Sequence, residues 1–245
     1  MVVATTPNSD LIEIQDEIRD DFGWKLAADL DSAKNLRWVC NEKSWSLKAW
    51  TKQGRQMSLL NLQEQLISGP ITILGAAAEV EDVREAILAG HRLIAADGSV
   101  GVLTEAEFPE IAWNSLLCVV SDGDGDKAHL AMAAKRKIPF VIHAHGDNQN
   151  EWMELLDVLH LYNTPIVLTH QTPSDLTGMI NPGGFTDGDR AVCFALAMNA
   201  SNNELTLRGF RTDIIGRWTG ATVPERKMRK LEWMKRIIDI AGVEM

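Results

Sequence analysis

The sequence predicts an α/β fold: a three-layer, Rossmann-like, mostly parallel sheet with helices on both faces, preceded by a helical N-terminal appendage. Two observations support this prediction. From residue 69 onward, short apolar runs alternate with stretches of helical length and period, as in parallel sheets that are buried on both faces. Residues 10–68 have helical spacing and contain no convincing strand. We therefore divide the chain into a helical region, 1–68, and an α/β catalytic domain, 69–245.

The N-terminal region has one clear apolar stripe, formed by Leu11, Ile14, Ile18 and Phe22. It is also rich in tryptophan. Burial statistics favour interpreting these side chains as packing residues, and nothing in the region indicates chemistry. The tryptophans are Trp24, Trp38, Trp45 and Trp50.

Six apolar runs are predicted to be strands, and each is followed by polar or small residues. In parallel sheets, ligands bind beyond the carboxyl ends of the strands, which share one edge. The sequence therefore predicts a polar active site at that edge. The predicted strands span residues 71–74, 92–96, 116–121, 139–143, 165–169 and 204–207.

Three aspartates follow the third predicted strand directly: Asp122, Asp124 and Asp126, separated only by glycines. Carboxylates this close repel one another unless a cation neutralises them, and hard oxygen ligands favour Mg²⁺. An EF-hand loop is excluded because Lys127 stands at its sixth position and Ala133 at its twelfth. A solvated Asp-Gly turn is the remaining alternative.

A second acidic cluster lies in the segment Thr186-Asp187-Gly188-Asp189-Arg190, at the predicted start of a helix near residue 188. Acidic side chains there stabilise the helix N-terminus, which would account for one of the two aspartates. The other would be left for chemistry.

His143 and His145 are spaced to lie on the same side of a strand and could bind zinc together. No further histidine or cysteine cluster completes such a site in the sequence. We prefer contact with substrate or phosphate for this pair.

The segment 224–240 is predicted to be a helix with a basic face that includes Lys227 and Lys230. Such a face is usually only solvated. Residues 208–245 nevertheless carry nine Lys and Arg against five Asp and Glu in a chain of net charge −10. This asymmetry indicates contact with a triphosphate.

Composition excludes several other classes of protein. The net charge of −10 argues against nucleic-acid binding, which requires clustered basic residues. No stretch is apolar and long enough to indicate a membrane span or a signal peptide. The three cysteines are interpreted as buried free thiols in a reducing compartment. We therefore expect a cytoplasmic protein without a membrane partner.

Seven motifs occur in order between about residue 71 and the C-terminus. They are Ala95-Ala96-Asp97-Gly98, Val120-Ser121-Asp122-Gly123-Asp124-Gly125-Asp126, His143-Ala144-His145-Gly146-Asp147-Asn148, Gln171-Thr172, Gly183-Gly184-Phe185-Thr186-Asp187-Gly188-Asp189-Arg190, Gly209-Phe210 and Lys227-x-x-Lys230-Leu231. Together they resemble the archaeal 6-hydroxymethyl-7,8-dihydropterin pyrophosphokinases, a group formerly known only as a domain of unknown function, whose core is similar to that of thiamin pyrophosphokinases. The third and fifth motifs are the specific ones.

The resemblance implies transfer of a diphosphate from ATP to the hydroxymethyl oxygen of the pterin, with release of AMP, in folate or methanopterin biosynthesis. The partners would be ATP and a pterin, and the cofactor would be Mg²⁺. Asp122 and Asp124 are expected to be the leading metal ligands, with Asp147 or Asp187 completing the site. Lys227 and Lys230 would stabilise phosphate charge during catalysis. No residue stands out as an obligatory general base, and a carboxylate such as Asp122 could take the hydroxyl proton. The expected substrate- or nucleotide-binding residues are Asp97, Gly98, His143, His145, Asn148, Gln171, Thr172, Thr186 and Arg190.

One departure from the family pattern concerns the end of the first strand, where Gly75-Ala76-Ala77-Ala78-Glu79 stands in place of a Gly-Pro-rich loop. Glu79 would bring a negative charge close to a phosphate site. Two alternatives therefore remain open: a pyrophosphokinase with another acceptor, such as thiamin, and a non-catalytic nucleotide-binding protein. The sequence also leaves the oligomeric state open, with a homodimer among the alternatives.

Overall fold

The computed structural model describes residues 8–245 and is built around a six-stranded sheet in which every neighbouring pair is parallel. The predicted α/β class is confirmed. The first three predicted strands have the observed bounds, and the last three lie one residue further along. The strands are β1 (Ile71–Leu74), β2 (Arg92–Ala96), β3 (Leu116–Ser121), β4 (Phe140–Ala144), β5 (Ile166–His170) and β6 (Leu205–Arg208).

Ten α-helices accompany the sheet within the described residues, together with three short 3₁₀ helices. The predicted C-terminal helix is confirmed and ends one residue later than expected. The α-helices are α1 (Ser9–Phe22), α2 (Leu26–Lys43), α3 (Lys52–Leu66), α4 (Val80–Leu88), α5 (Val102–Glu105), α6 (Pro109–Ser115), α7 (Lys127–Lys135), α8 (Gln149–Leu161), α9 (Asp187–Ala197) and α10 (Pro224–Ala241).

The strand order is β5-β4-β3-β2-β1-β6, so the chain crosses the sheet in one direction and then returns to place β6 beside β1. This reversal is a topological switch point, where open parallel sheets leave a crevice for ligands. Alternate strand residues contribute to two cores on opposite faces: Val119 belongs to the core with α4, α7 and α8, and Val120 to the core with α9 and α10.

The N-terminal helices pack on both faces of the sheet. Leu11 and Ile14 of α1, together with Leu62 of α3, join the core that contains α9 and α10, whereas Leu36 of α2 joins the opposite core. The helical prediction for this region is confirmed. Its independence as a separate unit stays a prediction.

The interpretation of the tryptophans as packing residues was wrong for two of them. Trp50 is fully buried, and its Nε1 donates to the carbonyl oxygen of Thr164 at 2.8 Å. Trp38 and Trp45 are instead 63% and 88% exposed. Apolar periodicity is weak around both residues, so the sequence pattern did not distinguish an exposed from a buried indole.

The cysteines agree with the prediction, since all three are free and buried. Within residues 8–245, no helix combines the length and the apolar character that a membrane crossing requires.

Replacing Trp50 with alanine should lower the free energy of unfolding by about 3–5 kcal/mol, because the change leaves a large cavity and removes a buried hydrogen bond. The matched control is Trp45→Ala, which should change stability by about 0.5 kcal/mol or less. Urea denaturation of both variants measures the difference. Equal stability of the two variants would show that the Trp50 side chain contributes nothing to the core.

Candidate active site

Four aspartates converge at the carboxyl edge of the sheet: Asp97 after β2, Asp122 and Asp124 after β3, and Asp187 at the start of α9. One carboxylate oxygen from each lies within 4.8 Å of those of the other three. The sequence predicted three members of this group as metal ligands and placed Asp97 with the substrate-binding residues instead.

Local backbone geometry brings Asp97 into the group. Its φ angle is 48°, in the left-handed region that few residues other than glycine adopt. The hydroxyl of Ser121 donates to its Oδ1 at 2.5 Å. Gly125 passes so close that an added Cβ would lie 2.2 Å from Asp97 Oδ2. The glycine therefore lets the Asp-Gly-Asp-Gly loop cross this carboxylate.

Asp97 and Asp122 are buried, Asp187 is half-buried and Asp124 lies at the exposed rim of the group, and desolvation affects the titration of all four. Burial, together with the charges of its neighbours, raises the pKa of Asp187 to about 8 and that of Asp124 to about 6. The pKa of Asp97 also lies well above its usual range, mainly because of burial. Asp122 differs: burial opposes its ionisation, but the hydrogen bond and charge of His145 lower its pKa.

The donor set is suited to a hard divalent cation. It offers four carboxylates whose oxygens lie within 4.8 Å of one another, and carboxylates are the ligands that Mg²⁺ prefers. Oδ1 of Asp187 is buried and has no hydrogen-bond partner in the described part of the chain. This oxygen forms only a long ion pair with Arg190 Nη1, at 3.6 Å, and a bound cation would supply the close partner that a buried oxygen requires. This group is therefore able to hold a metal ion.

The loop after β4 places a histidine between two carboxylates. His145 Nε2 lies 3.1 Å from Asp122 Oδ2, and its Nδ1 lies 2.7 Å from Asp147 Oδ1. Burial opposes protonation, but these two contacts raise the pKa of His145 to about 9. Asp147 also pairs with Arg226 at 3.1 Å. Asp147 is thus engaged with His145 and Arg226, and it is not part of the group of four carboxylates.

Asn148 holds this loop against the strand ends. Its Oδ1 accepts from the backbone N–H of His145 at 2.9 Å, and its Nδ2 donates to the carbonyl oxygens of Asp122 and His143 at 3.0 and 2.8 Å. All the polar atoms of the side chain are used within the protein. Asn148 thus connects two loops and also lines a cavity beside the carboxylates, so its predicted contact with the heterocycle or ribose stays a prediction.

Four other predicted binding residues are buried inside the protein. His143 contacts Thr169 Oγ1 at 3.0 Å and Gln171 Oε1 at 3.2 Å. Arg190 is fully buried and donates to the carbonyl oxygen of Phe185 at 2.7 Å. None of His143, Gln171 and Arg190 lines the cavities beside the carboxylates, and Thr172 lines a separate one that includes His170.

Of the two aspartates at the start of α9, one stabilises the helix start and the other joins the carboxylate group. Asp189 accepts from the backbone N–H of Phe185 at 2.6 Å and from the hydroxyl of Thr186 at 3.3 Å, so it stabilises the helix start. Asp187 joins the carboxylate group.

Two cavities open on the carboxylate group, and each receives one lysine of α10. The first lies at the β1–β6 switch point, has a volume of about 60 Å³, and is lined by Gly98, Asp187, Phe210, Trp218 and Lys227, among others. The second has a volume of about 580 Å³ and is lined by polar groups that include Asp122, His145, Arg226 and Lys230. Asp124 lines both.

The altered loop after β1 does not place its acid in the first cavity. Glu79 caps α4 together with Asp82, and its carboxylate lies 3.2 Å from Arg217. The expected clash of charge with a phosphate site is thus relieved locally.

Two N-terminal residues that reach the site, Trp24 and Asp29, are not indicated by any sequence motif. Lys230 Nζ lies 5.6 Å from the ring centroid of Trp24 and 5.5 Å from that of Phe185, close enough for cation–π attraction. Asp29 of α2 accepts from the backbone N–H of Gly146 in the His145 loop at 2.8 Å. Neither belongs to a motif, and an acid within an amphipathic helix is usually exposed.

No protein-family model matches the chain. Its relatives include three archaeal proteins, each named 6-hydroxymethyl-7,8-dihydropterin pyrophosphokinase. The protein of Pyrococcus furiosus is 31% identical over 183 residues, which cover 71% of this chain and 72% of that protein. The protein of Methanothermobacter thermautotrophicus is 32% identical over 235 residues, which cover 91% of this chain and 89% of that protein. The protein of Methanocaldococcus jannaschii is 27% identical over 239 residues, which cover 91% of this chain and 90% of that protein.

The raised pKa of Asp187 predicts a pH-dependent stability in metal-free buffer. Its unfolded pKa is near 3.8 and its folded pKa about 8, so its stabilising contribution is complete below about pH 4 and is lost as pH rises through 8. Asp187→Asn should remove this loss and stabilise the protein at pH 8 by on the order of 2 kcal/mol.

Thermal unfolding in EDTA between pH 5 and 8.5 measures the effect. The control is Asp126→Asn, which changes an exposed aspartate whose side chain caps α7, a role that asparagine also fills. The control should follow the wild-type pH profile, and Mg²⁺ should stabilise the wild type more at pH 8 than at pH 5.5. A wild-type profile for Asp187→Asn would contradict the electrostatic description.

Proposed function

The chain belongs to the 6-hydroxymethyl-7,8-dihydropterin pyrophosphokinase family and is therefore a diphosphotransferase; from this premise we propose that it transfers a diphosphate from ATP to the hydroxymethyl oxygen of a 6-hydroxymethyl-7,8-dihydropterin and releases AMP. The observation that carries the proposal is the group of four aspartates between two cavities. One such group can serve a nucleotide in one cavity and an acceptor in the other.

Asp122 and Asp124, with Asp97 and Asp187, would hold Mg²⁺. We include Asp97 in preference to Asp147, because Asp97 contributes an oxygen to the group and Asp147 is engaged by His145 and Arg226. When bound, the ion would neutralise phosphate charge and help to align the diphosphate for transfer.

The second cavity suits a metal-bound triphosphate because both acidic and cationic side chains line it. Lys230 and Arg226 extend from α10, and His145, with a pKa of about 9, carries a proton at neutral pH. Charge-assisted hydrogen bonds from such groups to phosphate are strong. Lys227 approaches the carboxylates from the first cavity, so the two lysines would stabilise charge on both sides of the transferred group.

The first cavity suits a flat, neutral ring, since Phe210, Trp218 and Leu231 supply apolar walls beside Asp187. Its volume is only about 60 Å³, so we expect the segment 210–223 between β6 and α10 to shift when a pterin binds. The acceptor oxygen would then reach the β-phosphate beside the carboxylates.

In the proposed step, the hydroxymethyl oxygen forms a bond to the β-phosphorus. The bond from that phosphorus to the oxygen bridging the α-phosphate breaks, and AMP leaves with the electron pair. The hydroxyl proton passes to a carboxylate of the group. Asp122, the acceptor proposed from sequence, is the weakest base among them because His145 lowers its pKa.

Product analysis tests this proposal against its alternatives. The protein is incubated with Mg-ATP and either the pterin or thiamin, and AMP is separated from ADP. AMP formed only with the pterin supports the proposal. AMP formed only with thiamin would replace the acceptor, ADP would indicate an ordinary kinase, and ATP binding without turnover would indicate a nucleotide-binding protein.

Asp122→Asn and Asp124→Asn should each lower kcat at least ~100-fold, because each replaces a negative hard ligand with a neutral one of the same shape. Both variants should fold: Asp124→Asn relieves repulsion among the carboxylates, whereas Asp122→Asn gives up the charge that pairs with His145 and should be the less stable of the two. Steady-state rates across a Mg²⁺ titration measure the effect. Near-normal rates at limiting Mg²⁺ would rule out these two residues as leading ligands.

Lys227→Gln and Lys230→Gln should each reduce kcat/KM for ATP by ~10- to 1000-fold, or about 1.4–4 kcal/mol, and change pterin binding less. The reason is that the neutral acceptor offers the lysines no charge. The control is Lys235→Gln on the exposed face of α10, where Lys235 pairs with Asp239. Wild-type kinetics of the double Lys227→Gln, Lys230→Gln variant would show that these lysines only solvate the helix.

A further inference from the structure

Asp29 is a buried carboxylate, 2% exposed, in the first turns of α2, and it accepts three hydrogen bonds from distant parts of the chain. Its Oδ2 accepts from Arg19 Nη1 at 3.1 Å and from Gln171 Nε2 at 2.9 Å. Its Oδ1 accepts from the backbone N–H of Gly146 at 2.8 Å. One side chain thus connects α1, the loop after β5 and the loop after β4.

The bond to Gly146 falls at the centre of the functional loop. Gly146 lies between His145, which contacts Asp122, and Asp147, which pairs with Arg226. A Cβ on Gly146 would lie 2.9 Å from Ala28 Cβ and 3.3 Å from Asp29 Oδ1. The loop therefore approaches the start of α2 so closely that a side chain at this position would push it away.

A purely structural ion pair would not require this arrangement. Arg19 forms an ion pair with Oδ2 of Asp29. It also donates a hydrogen bond to the carbonyl oxygen of Gln171 at 2.8 Å and pairs with Asp16. Oδ1 makes no contact with Arg19 and is directed to the loop, 117 residues further along the chain. The carboxylate thus has one oxygen for the ion pair and one for the loop.

We propose that Asp29 is a positioning residue for the diphosphate transfer: it fixes the backbone at Gly146 and thereby sets His145 against Asp122 at the carboxylate group. The inference rests on the proposed function for its reaction. It brings the N-terminal helices, which carry no chemical motif, into the organisation of the active site. A displacement of about 1 Å in such a group is enough to cost ~100-fold in rate.

The experiment compares Asp29→Asn with Asp31→Asn, a matched change at an exposed position two residues further along α2. Asparagine places an N–H₂ among three donors and breaks the network. We expect Asp29→Asn to lower kcat ~10- to 100-fold with the KM for the pterin within ~2-fold, and to shift the amide NMR signals of Gly146 and its neighbours. Asp31→Asn should retain wild-type kinetics and signals.

Gly146→Ala gives a second test that leaves every charge in place, and it decides the matter if Asp29→Asn does not fold. The added methyl group should displace the loop and lower kcat to a similar extent while the protein stays folded. A folded Asp29→Asn or Gly146→Ala variant with shifted loop signals and wild-type kcat would overturn the inference.

The wild-type protein separates failure of this inference from failure of the proposed function. Wild-type protein that forms no AMP with the pterin refutes the proposed function alone. In that case, loop signals that shift in Asp29→Asn together with weaker binding of Mg-ATP, measured by calorimetry, still support the positioning role. Unchanged Mg-ATP binding with shifted signals would refute it.

Discussion

The mutual repulsion of four clustered carboxylates, two of them buried, is the constraint on which the organisation of this protein depends. Asp97, Asp122, Asp124 and Asp187 would separate if they were free, and burial makes their charges more costly still. The rigid parallel sheet and the start of α9 hold them together. Much of the surrounding structure serves to reduce the cost of this arrangement.

The compensation is divided among elements that are distant in sequence. His145 meets Asp122 directly, and the lysines of α10 approach from the two cavities. The aromatic ring of Trp24 lies beside Lys230, and Asp29 holds the loop that carries His145. A site that concentrates negative charge for a metal is therefore surrounded by cations, and two of them, Lys230 and His145, depend on contacts that involve the N-terminal region.

The altered loop after β1 illustrates how local compensation keeps such a site intact. An acid at this position would oppose an incoming phosphate if it faced the cavity. Glu79 instead caps α4 and pairs with Arg217. The first cavity then forms between small residues on one side and the apolar side chains of the segment 210–223 on the other.

The sequence by itself determined the α/β class, all six strands to within one residue, and the acidic motifs at the strand ends, because apolar runs and turn residues encode local structure. Only the tertiary structure decided that Asp97 rather than Asp147 joins the carboxylates, that His143 is buried, and that Asp29 reaches the His145 loop. These outcomes depend on backbone angles and on contacts between residues up to about 120 positions apart, which local periodicity does not record.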